Sequence, residues 1–267
     1  GSMAGLFLGP KGIIGKSWYW FGHQGWEFME PGKIWQLILG VVFIIWAVTL
    51  YRGIKPVIKR KQPWALPNWL LYATFSIIIL LVSGFIATPK TNFVIADFWR
   101  WMVVHMWAEA FFEVFTTVLI GYFMVMMGLV SKHAATRVIY LATLLFLGSG
   151  LLGISHNFYW NAKPVFTMAL GSVFSTLQVV PLVLLTLEAW RFSKLPKVLE
   201  NGKNIEKTSQ RFGFQEVFMF LVAVNFWNFF GAGVLGFIIN LPIANYYEHG
   251  TYLTVNHGHA ALMGVYG

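Results

Sequence analysis

Apolar residues run along this chain in blocks too long and too unbroken for an ordinary amphipathic helix. They cover residues 34–51 (A), 69–88 (B), 98–130 (C), 136–160 (D), 164–191 (E) and 214–241 (F). A seventh block (G) opens near 245 and is still running at Gly267. A hydrocarbon core of about 30 Å needs about 20 apolar residues in a helix. The pattern therefore predicts an all-α, polytopic transmembrane helix bundle, with six complete helices and a truncated seventh. Block C is longer than the core requires and is expected to tilt or protrude. Residues 1–33 contain the Gly- and Trp-rich run GIIGKSWYWFGHQGWEFMEPG, which suits an ordered interfacial segment with aromatic anchors, leaving 34–267 as the membrane core.

Charge adds orientation. The A–B loop holds Arg52, Lys55, Lys59, Arg60 and Lys61; the C–D loop holds Lys132 and Arg137. The E–F loop holds Arg191, Lys194, Lys197, Lys203, Lys207 and Arg211, which brings thirteen of the nineteen Lys and Arg residues to one side. The positive-inside rule makes that side cytoplasmic, so residues 1–33 and the B–C, D–E and F–G loops face outward. The net charge of +9 is thus a topology signal in short loops, and nucleic acid is not an expected partner. Charged residues make up 11% of the chain, well below the roughly 25% of a soluble domain, so lipid is the expected solvent. Cysteine is absent, which excludes disulfides and thiolate ligands and leaves His, carboxylate and amide groups for any metal. No signal peptide is expected at the N-terminus.

Ionisable residues inside a membrane are costly and point to function. Helix C carries His105, Glu109 and Glu113; at i, i+4 and i+8 of an α-helix these lie within about 80° of one another. Helix D ends on His156 and Asn157, helix E carries Gln178 three residues before Pro181, and helix G opens with His257-Gly-His259. The alternating directions of C, D and G put His105, His156, His257 and His259 in the outer third of the bilayer. His257 and His259 are about 200° apart on a helix, so they cannot hold one ion but can each hold a separate planar group, as two haems with one axial histidine each would require. His105, Glu109 and His156 can converge on one non-haem ion, for which imidazole and carboxylate suit iron, copper or zinc. Asn157 can instead be a helix-terminal amide bonded to the D–E turn, and Gln178 interhelical hydrogen-bond glue. His23, His133 and His249 fall in loops and read as solvated surface.

The segments GHQGWEFMEPGKIWQ (22–36), VVHMWAEAFFEV (103–114), GISHNFYW (153–160), GSVFSTLQVVP (171–181) and VNHGHAALMGVYG (255–267) follow in that order along the chain. Together they resemble the catalytic subunit of nitric oxide reductases, especially the quinol-dependent kind, in the haem–copper oxidase superfamily. The resemblance implies that His257 is the axial ligand of a high-spin haem b3 and His259 an axial ligand of a low-spin haem b. It implies that His105 and His156 hold a non-haem iron with Glu109 beside it, and that Glu113 is a second acidic residue near the site. Glu27, with Glu30 its neighbour, is similar to a calcium ligand of that family. The second axial ligand of haem b has no match in the chain, which therefore reads as an internal fragment whose N- and C-terminal parts are missing. The His–Tyr cross-link segment of the oxygen-reducing branch has no counterpart.

Two departures stand out against that resemblance. The reductases carry His-His where this sequence has His156-Asn157, and Glu where it has Gln178. An amide does not titrate, so Gln178 cannot relay a proton, and Asn157 is a weaker donor than a third imidazole. Reducing two NO to N2O consumes two protons and two electrons; dismutating two NO to N2 and O2 consumes neither. The chain is accordingly similar to the proposed NO dismutases, and NO dismutation by a haem and non-haem-iron enzyme of a prokaryotic cytoplasmic membrane is the leading expectation. Three others stay open: a quinol-dependent nitric oxide reductase with an altered iron site, a haem-binding but inactive relative, and a transporter whose histidines relay protons.

Overall fold

The computed structural model describes residues 18–22, 32–58, 61–148, 164–194, 215–248 and 251–266. Every regular element among them is helical. The chain divides into two compact units, residues 1–116 and 117–267.

The first unit contains α1 (Trp18–Phe21), α2 (Lys33–Ile54), α3 (Leu66–Val82) and α4 (Phe93–Trp101). Two π-helical segments, Met102–Trp107 and Ala110–Phe115, continue α4. Local chemistry sets where these helices start. Pro67 stands in the first turn of α3, where its missing N–H costs nothing. Asn92 caps α4 by accepting the Val94 N–H at 3.0 Å. Blocks B and C therefore become helical at Leu66 and Phe93, earlier than 69 and 98. Leu66, Leu70, Ala73, Ile77 and Leu81 are buried along α3, and α3 packs on both π segments, whose Val103, Ala110 and Val114 are buried in turn.

Helix α2 is different. Its membrane window is almost entirely exposed, which suits a helix surrounded by lipid. Its inner stripe is aromatic: Phe43 meets Trp107 at 5.8 Å and Trp46 meets Phe115 at 5.1 Å between ring centroids. At the start of α2, Lys33 is only 3% exposed. Its Nζ donates to the Gly84 carbonyl and lies 5.7 Å and 5.6 Å from the Tyr19 and Phe85 ring centroids. This ties α1, α2 and the end of α3 together through one buried ammonium.

The second unit contains α5 (Thr116–Met126, all but its first residue), α6 (Lys132–Gly148), α7 (Val165–Leu177) and α8 (Val179–Lys194). It continues with α9 (Gln215–Trp227), a π segment Asn228–Val234, α10 (Leu235–Asn240), α11 (Pro242–Glu248) and α12 (Tyr252–Tyr266). Helix α5 stops before 130 because Gly128 takes φ 71°, a conformation that suits glycine. Leu129 N–H then bonds Met124 O at 2.9 Å and Gly128 N–H bonds Val125 O at 3.1 Å, a Schellman ending. Met124, Leu129, Val130, Ala135, Val138, Leu185 and Ala189 form one buried cluster that joins this ending to α6 and α8.

Block E is broken at Gln178, between α7 and α8. Pro181 explains the break, since it cannot donate to the carbonyl four residues back. Block G is not one helix from 245: α11 ends at Glu248, and the Thr254 hydroxyl donates to Glu248 O at 2.8 Å as α12 begins. By length and composition, Lys33–Val57, Leu66–Phe85, Val165–Arg191 and Met219–Asn240 each suffice to cross a membrane among the described residues. In block C the apolar helix Glu113–Met126 is shorter than a span, and part of block D lies outside the described residues. The fold is the expected polytopic membrane helix bundle.

Candidate functional site

In the first unit the site rests on the two π segments. A π-helix bonds i to i+5 and turns by roughly 80° per residue rather than 100°. Alternating π and α stretches between 105 and 113 brings the i, i+4, i+8 ladder nearly into line, to within roughly 20° instead of about 80°. His105 Nε2 lies 3.0 Å from Glu109 Oε1, and both side chains are largely buried. Glu113 follows one turn later, and its buried Oε2 has no hydrogen-bond partner. The expected juxtaposition of His105 with Glu109 is present.

In the second unit the site is built around His257 on α12. Its Nδ1 lies 2.7 Å from the carbonyl of Gly231, inside the π segment 228–234. A π segment interrupts the i to i−4 ladder, so a main-chain oxygen is available to a side chain there. That contact sets the orientation of the imidazole ring. Glycines make the approach possible. A Cβ on Gly236 would stand 2.9 Å from His257 Cε1, and one on Gly231 would stand 2.7 Å from the Ala260 carbonyl carbon. Gly258, by contrast, has open space where its Cβ would be. His259 is exposed. Gln178 is half-buried at the break in block E, and Asn228 Nδ2 donates to the adjacent Val179 carbonyl at 3.4 Å.

His156, Asn157, Glu27 and Glu30 lie outside the described residues. Among the described residues, no three His, Cys, Asp or Glu side chains are grouped to hold a metal ion. The π segments, the Gly231 carbonyl and the Asn228 contact are structural features of the candidate site that residue spacing does not reveal. A sequence signal near them is the Gly-Ala-Gly of 231–233, separated from the histidine motif by α10 and α11.

Similarity to known proteins decides the family. The cytochrome c and quinol oxidase polypeptide I family matches residues 1–267. The chain belongs to that family. It is 26% identical over 248 residues to a nitric oxide reductase subunit of Stutzerimonas stutzeri, an alignment covering 91% of this chain and 48% of that protein. The chain thus spans about half the length of the curated relative it matches.

Family membership implies haem and a second metal, and the side chains present fit both. An imidazole whose ring is oriented by a backbone carbonyl, beside a glycine with open space, suits a ligand to a planar macrocycle. A buried imidazole and carboxylate 3.0 Å apart are an appropriate pair of donors for a non-haem iron.

Proposed function

We propose that this chain forms the core of a membrane enzyme acting on nitric oxide, and that its reaction is the dismutation of two NO to N2 and O2. The observation that carries the reading is the pairing of a carbonyl-held axial histidine, His257, with Gln178 at the helix break where the reductases have a carboxylate. His257 would hold haem b3, His259 haem b, and His105, His156 and Glu109 the non-haem iron. When bound, haem b3 and the non-haem iron would supply two metals for coordination and redox chemistry of NO. The protein's own part is orientation. Gly231 O fixes the His257 ring, and the π segments hold Glu109 and Glu113 in line below His105. Gln178 and Asn157 offer amides in place of a proton-relaying carboxylate and a third imidazole, which suits a reaction with no net proton or electron demand. Glu27 is assigned to a calcium ion. The site is assigned to the outer third of a prokaryotic cytoplasmic membrane.

Quinol-dependent reduction to N2O is the second reading, favoured by the name of the relative and by the two acidic residues retained on helix C. Anaerobic feeding of doubly labelled NO to the full-length protein separates them. Labelled O2 without an electron donor is the expected result; labelled N2O formed only when quinol is added would overturn dismutation. A protein without a Soret band would remove both readings in favour of a transporter, and one with haem but no second iron would be the inactive relative.

A further inference from the structure

The corner between α10 and α11 buries more hydrogen-bond acceptors than it has donors. Asn240 is 1% exposed and Asn245 3% exposed, and the Oδ1 of each is buried with no partner. The orientation of Asn245 is pinned. Its Nδ2 donates to Ile239 O at 2.8 Å, so turning the amide over would set oxygen against oxygen. Ser172 of α7, 2% exposed, reaches the same corner, with its Oγ 2.8 Å from Asn240 O and 3.0 Å from Met168 O. Its single proton serves one of these carbonyls and its lone pairs remain unclaimed. Side chains from α7 and α11 thus bond the two consecutive carbonyls, Ile239 O and Asn240 O, at the end of α10.

The backbone there has the same polarity. Helix α10 ends at Asn240, Leu241 is extended at ψ 129°, and α11 starts at Pro242. The last carbonyls of a helix carry the negative end of its dipole, and broken helices in membranes use such ends with side-chain oxygens to hold small cations. No carboxylate takes part, and neutral oxygens favour a monovalent ion over calcium, which draws on Asp and Glu.

We propose that Asn240, Asn245 and Ser172 form a binding site for a monovalent cation of sodium size, closing the corner that leads into the His257 helix. Bound there, the ion joins α7 to α10 and α11 and holds the start of α12 in register with Gly231 and Gly236.

The test is thermal unfolding of the full-length protein in detergent, titrated with sodium chloride, potassium chloride or choline chloride at constant ionic strength. Wild type is expected to melt at least about 3 °C higher in saturating sodium than in choline, with a saturable dependence. Asn240→Asp, which keeps an oxygen at the site and adds charge without removing the Asn245 donor to Ile239 O, is expected to saturate at about tenfold lower sodium. Asn245→Leu is expected to melt identically in all three salts. Identical melting of wild type in sodium, potassium and choline would overturn the proposal and leave water as the occupant. An unchanged sodium dependence in Asn245→Leu would overturn it equally, by placing the ion elsewhere.

Discussion

Gly236→Ala places a methyl group 2.9 Å from Cε1, 3.3 Å from Nδ1 and 3.6 Å from Nε2 of His257. Carbon atoms rest at about 3.5–4.0 Å, so the ring must move by roughly 0.6–1 Å or the two helices must part. Either adjustment strains the 2.7 Å contact between Nδ1 and Gly231 O. Overpacking costs about 1–3 kcal/mol and a weakened hydrogen bond about 0.5–1.5 kcal/mol, giving roughly 1.5–4.5 kcal/mol in all. At about 2–4 °C per kcal/mol, the full-length protein in detergent should melt roughly 3–18 °C lower. Gly40→Ala is the matched control, because a Cβ there meets nothing within 4 Å. A second arm isolates the contact: in a His257→Ala background the methyl group has no ring to strike, so Gly236→Ala should cost less than about 1 kcal/mol. Equal destabilisation with and without the imidazole would refute the placement of His257 against Gly236, whatever the single variant did alone.

Lys33→Met removes the donor to the buried Gly84 carbonyl and the charge between Tyr19 and Phe85, and should destabilise the first unit by about 1–3 kcal/mol; a melting midpoint equal to wild type would contradict the buried bond. Gly128→Ala puts a Cβ at φ 71° in the Schellman ending of α5 and is expected to cost about 1–2 kcal/mol, read from chemical denaturation. Asn225→Leu removes the 2.6 Å bond to Thr186 between α8 and α9 and should lower the melting midpoint by a few degrees, about 0.6 kcal/mol being typical of such membrane bonds. Gln178→Glu restores a titratable group at the break in block E; with quinol supplied, labelled NO should then give a rising share of N2O, and a product ratio identical to wild type would detach Gln178 from the choice of reaction.

Much of the candidate site is legible from residue types and spacing. His105 and Glu109 are expected together because any regular helix brings i and i+4 to one side. The assignment of His257 and His259 to different partners also needs only helical geometry. Local boundaries are less legible, although the signals are present: Asn92 as a cap, Pro67 in a first turn and Gly128 past a last one. They lie within apolar runs whose hydropathy hides where the backbone turns, so hydropathy alone starts blocks B and C at 69 and 98.

By itself the sequence determined the membrane class and the helical fold, and it carries the residue types on which the proposed ligand set and the proposed choice of NO reaction rest. These follow from composition, charge asymmetry and side-chain type, all of which are properties of residues taken one at a time or one turn apart. Only the tertiary structure decided which backbone carbonyl steers His257, which glycines let α12 approach the 228–234 segment, and where the helix alternates between α and π. Those depend on contacts between helices far apart in the chain: a π turn forfeits regular α-helical bonding and persists where packing between neighbours compensates for it. The same reason explains why the acceptor-rich corner of Ser172, Asn240 and Asn245 is invisible in the sequence. Its residues are 68 positions apart at the Ser172 to Asn240 bond, and nothing in either segment alone shows that their oxygens meet.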